Sequence, residues 1–254
     1  MIFAHGFGTE QSLWRFVEPH FRENYRTVLF DYVGCGRSDP LAYDPERYAS
    51  IEGYASDVLD ICNDLNLRDA IFVGHSFSGM VGAVAAIRAP QLFSRLIMIG
   101  PSARFENDPP DYIGGFDRDD LLDLLGLMDR NMTDWINFLA PVAMKNQDRP
   151  ELTAEFVSTL SAGDPEILRR FARLAFLGDQ RHYLPLCHTP TLILQCADDT
   201  IAPATASEYI HRHLPVSTLC YMRATGHCPH VTHPEETLRL IRSYLATGQC
   251  SDGN

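Results

Sequence analysis

No apolar run in this 254-residue sequence approaches the roughly 18 residues that a membrane-crossing helix needs, and no secretory leader pattern opens it. Positive charge is scarce: 21 Lys and Arg stand against 33 Asp and Glu, a net charge of −12. That balance argues against nucleic acid and anionic membrane surfaces as partners. Cysteines are seven, an odd number without the spacing of a small disulfide-stapled domain, and they read as reduced thiols in a cytoplasmic protein. Cys220, His227, Cys228 and His230 match no common zinc spacing, so no metal is expected. Gly34-x-Gly36 lacks the third glycine and the following helix of a dinucleotide fingerprint, and no nucleotide cofactor is expected either. Its Gly-x-Gly-x-Ser-Asp turn after Asp31 reads as a structural loop. Repeats and low-complexity segments are absent.

What remains is an ordinary globular composition, 45% apolar and 21% charged, in a chain long enough for one α/β domain with a small insertion. Near-continuous apolar runs at 1–4, 26–31, 70–74, 94–100, 191–195 and 218–222 have the character of strands buried on both faces of a parallel sheet. Helical patterns alternate with them at 11–21, 51–65, 77–89, 204–213 and 234–246, the signature of a doubly wound sheet. Between Pro101 and Pro190 the strands stop. Four helical stretches, 118–129, 133–145, 150–161 and 165–177, read there as a lid, with Pro150 and Pro165 in first-turn positions and Asp164 as an N-cap. The expected organisation is a core domain in two parts (1–104 and 188–247), a lid insertion (105–187) and a loose tail (248–254).

Chemistry enters at Gly74-His75-Ser76-Phe77-Ser78-Gly79, where a strand turns into a helix. A serine at such an apex is a nucleophile elbow, whose strained backbone requires small neighbours. Gly74 and Ser78 are small, although Ser78 stands where the usual G-x-S-x-G pattern has glycine. A serine hydroxyl needs a base, and the base needs a carboxylate, in the chain order Ser, acid, His. Asp198 and Asp199 follow one strand; His227 and His230 follow the next, and Gly226 favours His227 by freeing the loop to aim its ring. His75 reads as a local packing or bonding residue. A developing oxyanion needs two backbone N–H groups, expected from Phe77 and from Phe7 in His5-Gly6-Phe7-Gly8. Lid aromatics at helical spacing are mostly core. Phe116, Trp135, Phe138, Phe156 and Phe176 are nevertheless the candidates for the wall of a hydrophobic cavity over Ser76.

These segments, with Leu29-Phe30-Asp31-Tyr32-Val33-Gly34, Leu194–Asp199 and Gly226-His227-Cys228-Pro229-His230, resemble the RsbQ-like α/β-hydrolases. Those are bacterial stress regulators similar to the plant karrikin and strigolactone receptors. The resemblance spans nearly the whole chain, including Asn107-Asp108-Pro109-Pro110 and Gly114-Gly115-Phe116. It implies an α/β-hydrolase fold, a mostly parallel sheet with a four-helix lid, and Ser76, Asp199 and His227 as the triad. Asp199, four residues before Pro203, has the spacing of the acid. It further implies hydrolysis of a small apolar ester or lactone in a stress-signalling role, or a ligand sensor with slow or single-turnover hydrolysis that regulates a phosphatase of the RsbP type. A serine at the elbow excludes the dehalogenase and epoxide-hydrolase chemistry of related proteins, which use aspartate there. Two departures stand out. Phe77-Ser78-Gly79 replaces Val-Gly-Ala, so the pocket near the serine is expected to differ. The N-terminal hairpin such proteins carry is missing, which would leave residues 26–31 at an exposed sheet edge.

Overall fold

The computed structural model describes residues 1–250; of the expected tail, 251–254 lie outside the described residues. Six strands form one sheet: β1 (Ile2–Ala4), β2 (Val28–Phe30), β3 (Ala70–His75), β4 (Phe93–Ile99), β5 (Thr191–Asp198) and β6 (Ser217–Thr225). Their order is β2-β1-β3-β4-β5-β6, and every pairing is parallel, so the expected mostly parallel sheet is wholly so among the described residues. The half-buried β2 lies at one edge, where residues 26–31 were expected.

Crossovers run through helices α1 (Ile51–Asp64), α2 (Phe77–Arg88) and α7 (Ala204–His213), and β6 is followed by a one-turn α8 (Pro229–Thr232) and by α9 (Pro234–Thr247). Between β4 and β5 lie four helices: α3 (Arg118–Arg130), α4 (Met132–Met144), α5 (Pro150–Ala162) and α6 (Pro165–Leu177). Asp164 caps α6 by accepting from the N–H groups of Glu166 and Ile167, both at 3.0 Å. Asn131 caps α4 in the same way.

Side chains alternate across the strands, so consecutive residues join different cores. Ile71 and Val73 pack with Phe3, Trp14 and α9 on one face. Ala70 and Phe72 pack with α1, α2 and the lid on the other. The second core runs unbroken from sheet to lid, so the insertion shares the domain's hydrophobic stabilisation rather than building its own.

Two expectations are corrected. Residues 11–21 form two 3-10 turns, Gln11–Trp14 and Glu18–Phe21, instead of one helix. Pro19 has no N–H to donate to the Arg15 carbonyl and its ring crowds that carbonyl, so a helix begun at Gln11 cannot run on through Glu18–Phe21. Seven free thiols become five, because the chain end brings Cys250 onto Cys220 of β6 as a disulfide with Cα atoms 6.1 Å apart. Among the described residues no helix is long and apolar enough to cross a membrane.

Candidate active site

Ser76 sits between β3 and α2 with φ 55° and ψ −122°, a conformation that costs a non-glycine residue of order 1–3 kcal/mol. Surrounding hydrogen bonds hold it there: its N–H donates to the Ile99 carbonyl at 2.8 Å, and its carbonyl accepts from Gly79 N–H at 2.9 Å. Gly74 is required by close approach, since a Cβ there would lie 2.5 Å from the Ser78 carbonyl oxygen. Ser78 itself is fully buried. Its hydroxyl donates to the His5 carbonyl at 2.5 Å, so Tyr32 Oη, 3.0 Å away, donates to it. A serine is accommodated in the glycine position because its hydroxyl has both partners, and those bonds tie the elbow to the loop after β1.

The structure joins Ser76, His227 and Asp199 in one hydrogen-bonded line, all three buried. His227 Nε2 lies 2.8 Å from Ser76 Oγ, and Nδ1 lies 2.7 Å from Asp199 Oδ2. A carboxylate only accepts, so the ring proton resides on Nδ1 and Nε2 is left bare to accept from the serine. The other Asp199 oxygen accepts from the N–H groups of Ile201 and Ala202 at 2.9 and 3.0 Å. Its neighbour Asp198 points outward, with a side chain 64% exposed and ion-paired to Lys145 Nζ. The two candidates for the acid are thereby separated. His230 is also separated from His227: it lies behind it, between Trp14 and His75, with ring centroids 4.5 Å from each. Burial, followed by the neighbouring His227 and Arg15, drives its pKa down to about 3.

The lid reaches His227 directly. His227 N–H donates to the Ala143 carbonyl at the end of α4, at 2.7 Å. Asn146 Nδ2 donates to the Thr225 carbonyl at 3.1 Å, and Arg149 Nη1 donates to that of Thr232. Gly226, at φ +84°, permits this approach; a Cβ there would lie 2.6 Å from the Met144 carbonyl oxygen.

In the loop after β1, Tyr32 N–H donates to His5 Nε2 at 3.0 Å, so His5 Nδ1 carries the proton and donates to Gly6 O at 2.8 Å. Burial lowers the His5 pKa and keeps the ring neutral for both bonds. Asp31 anchors the adjoining turn by accepting from Gln11 and from Arg37 N–H. The Gly-x-Gly turn is therefore held as a structural element.

Ser76 and His227 open onto a cavity of ≈ 470 Å³ including its mouth, walled mainly by apolar side chains. Phe7 and Phe77 line it, as do Phe156 and Phe176 among the five expected lid aromatics. The other three are corrected. Trp135 is fully buried core whose ring meets Phe7 edge-on, and Phe138 is 56% exposed on the outer side of α4. Phe116 packs against the core from the segment leading to α3. On α4 one residue is a turn of about 100°, so the wall is made by Leu139 and Ala143 rather than Phe138. Ala143 and Ala175 were missed because small residues leave room instead of filling it. Thr9, Phe105 and Ile201 were missed although each adjoins a motif or strand end.

The sequence matches the Alpha/beta hydrolase family over residues 1–240. It is 39% identical over 247 residues to the "Strigolactone esterase RMS3" of Pisum sativum, covering 97% of this chain and 89% of that one. It is 39% identical to the "Karrikin insensitive 2 receptor IA" of Petunia hybrida, covering 97% and 90%. Among solved structures, olei00960, a hydrolase from Oleispira antarctica, superposes with a TM-score of 0.94 at 38% identity, covering 97% of this chain and 90% of that one. With a six-stranded parallel sheet, a serine at the elbow and relatives of this similarity along nearly its full length, the chain belongs to the alpha/beta hydrolase family.

Proposed function

We propose that this hydrolase is a serine hydrolase that cleaves a small, apolar ester or lactone. The observation that carries the reading is the unbroken line from Asp199 through His227 to Ser76, opening onto an apolar cavity. Ser76 Oγ forms a bond to the substrate carbonyl carbon while its proton passes to His227 Nε2. Asp199 stabilises the imidazolium so formed. Phe7 and Phe77 line the cavity beside Ser76, and their backbone N–H groups are assigned to the oxyanion. The carbonyl–alkoxy bond breaks and the leaving oxygen takes the proton from His227. Water then attacks the acyl-serine, its proton goes to His227, and Ser76 is released with its own proton restored. The test is hydrolysis of 4-nitrophenyl acetate by the wild type and by Ser76→Ala, with mass spectrometry of Ser76 after exposure to small esters and butenolides. Loss of hydrolysis in a folded Ser76→Ala protein is expected; substantial residual hydrolysis would remove the assignment.

A second reading is favoured by the similarity to a relative named as a receptor. In it the protein is a sensor that turns its ligand over slowly and regulates a partner phosphatase in a bacterial stress response. A slow burst leaving a stable Ser76 adduct, with phosphatase captured from native cells, would support it; rapid multiple turnover without capture favours the plain hydrolase.

A further inference from the structure

We infer that His75, the residue before the nucleophile, is a positioning residue that holds the His227 loop in register with Ser76 and with the loop after β1. The inference rests on the serine-hydrolase reading. His75 Nε2 lies 2.8 Å from the His227 carbonyl oxygen. A carbonyl only accepts, so Nε2 carries the proton and donates. The His227 peptide is thus held on both sides: its N–H by the lid at Ala143, and its C=O by His75. The other nitrogen, Nδ1, is buried without a hydrogen-bond partner. It faces Gly6, where a Cβ would lie 2.5 Å from it, and this contact leaves no room for any residue but glycine in the loop. The imidazole therefore fills the space between the loop that carries Phe7 and the loop that carries His227.

Its chemistry suits positioning and not proton transfer. A second proton would sit on Nδ1 with no acceptor, in a fully buried site beside two other imidazoles, His227 and His230, with centroids 4.8 and 4.5 Å away. Burial, followed by His230 and His227, holds its pKa well below the usual histidine range. His75 thus remains a neutral donor while His227 cycles through its charged form. Without that donor, the His227 carbonyl is buried and unpaired, and the ring aimed at Ser76 loses one of its two backbone anchors. Misplacement of a catalytic group by an ångström costs up to about 100-fold in rate.

The test uses three variants. His75→Phe keeps a ring but no donor; His75→Asn has a donor that stops short; His75→Gln places an amide N–H where Nε2 was. With 4-nitrophenyl acetate, Phe and Asn are expected to lower kcat roughly 10- to 100-fold with KM within about 2-fold, while Gln stays within about 3-fold of wild type. The low-field proton signal of the His227–Asp199 hydrogen bond, read without substrate, should persist in Gln and be lost or broadened in Phe and Asn. If Phe does not fold, Asn alone carries the donorless arm. A folded Phe or Asn protein with kcat within about 3-fold of wild type overturns the inference, as does a Gln variant no better than Asn for whatever reason, misfolding included. Failure of the wild type to cleave the ester would sink the hydrolase reading instead, and the proton signal would still report whether His75 holds His227.

Discussion

The sheet and the lid meet the cavity over Ser76 from opposite sides and by different means. Loops at the C-terminal ends of β1, β3, β5 and β6 supply nearly all of its polar atoms, each held by hydrogen bonds of 2.5–3.0 Å to or from backbone groups. The lid supplies apolar wall, positioned by ring packing, and polar contacts to the segment around His227 from the Ala143 carbonyl, Asn146 and Arg149. Hydrogen bonds fix direction, whereas apolar packing fixes volume and tolerates adjustment. The sheet side therefore fixes the direction of the Asp199–His227–Ser76 line, and the lid side fixes the volume over it.

The largest expected difference lies between two adjacent residues on the sheet side. Asp199→Asn should lower kcat by about 10⁴-fold, because an amide can offer a donor to Nδ1 and reverse the ring's tautomer. Asp198→Asn removes only an exposed pair with Lys145, of a kind contributing at most about 1 kcal/mol, and should leave kcat within a few fold. Steady-state kinetics of both variants decide it, and the opposite ranking would exchange their roles. On the lid side, Phe171 is fully buried, and its ring meets those of Phe7, Tyr54 and Phe77 at 4.6–5.0 Å. Phe171→Ala should cost about 3–5 kcal/mol in urea unfolding. A loss below about 1 kcal/mol would mean that the lid is not part of the common core.

Acid should act through the sheet side. His230 is neutral when folded down to about pH 3 but protonates near 6.5 when unfolded. Its folded pKa is lowered, so the unfolded chain binds the extra proton. Its contribution to stability is full above about pH 6.5 and lost as pH falls towards 3, at about 1.4 kcal/mol per pH unit. Unfolding of wild type and His230→Phe between pH 7 and 4 should give a slope shallower by one proton in the variant; parallel slopes would contradict a neutral buried His230. The smallest effect is expected from Phe138→Ala. An exposed residue outside the cavity should leave stability within about 0.5 kcal/mol and kcat/KM unchanged, and a raised KM in this variant would return Phe138 to the cavity wall.

Legibility in the sequence divides along the same line. Strands β3, β4 and β5 were readable because burial on both faces writes itself as uninterrupted apolar residues, and all four lid helices were readable from periodicity and from Pro150, Asp164 and Pro165. Residues 11–21 misled, because their apolar spacing is helical while Pro19 cannot donate to the carbonyl four residues back and stops a helix there. Trp135 and Phe138 misled because an aromatic at helical spacing carries no mark of which face is wall, core or solvent.

By itself the sequence determined the parallel α/β order, the serine apex with its small neighbours, and the candidate aspartates and histidines just past successive strands. Those features are local: strand patterning, strain at a turn and residue chemistry all act over a few positions. Only the tertiary structure decided that His227 is clamped between Ala143 and His75, that Ser78 binds the loop after β1, and that Leu139 and Ala143 shape the cavity. Each of these depends on atoms brought together across dozens of residues, where a hydrogen bond forms or fails within a few tenths of an ångström, and no pattern along the chain records so small a distance.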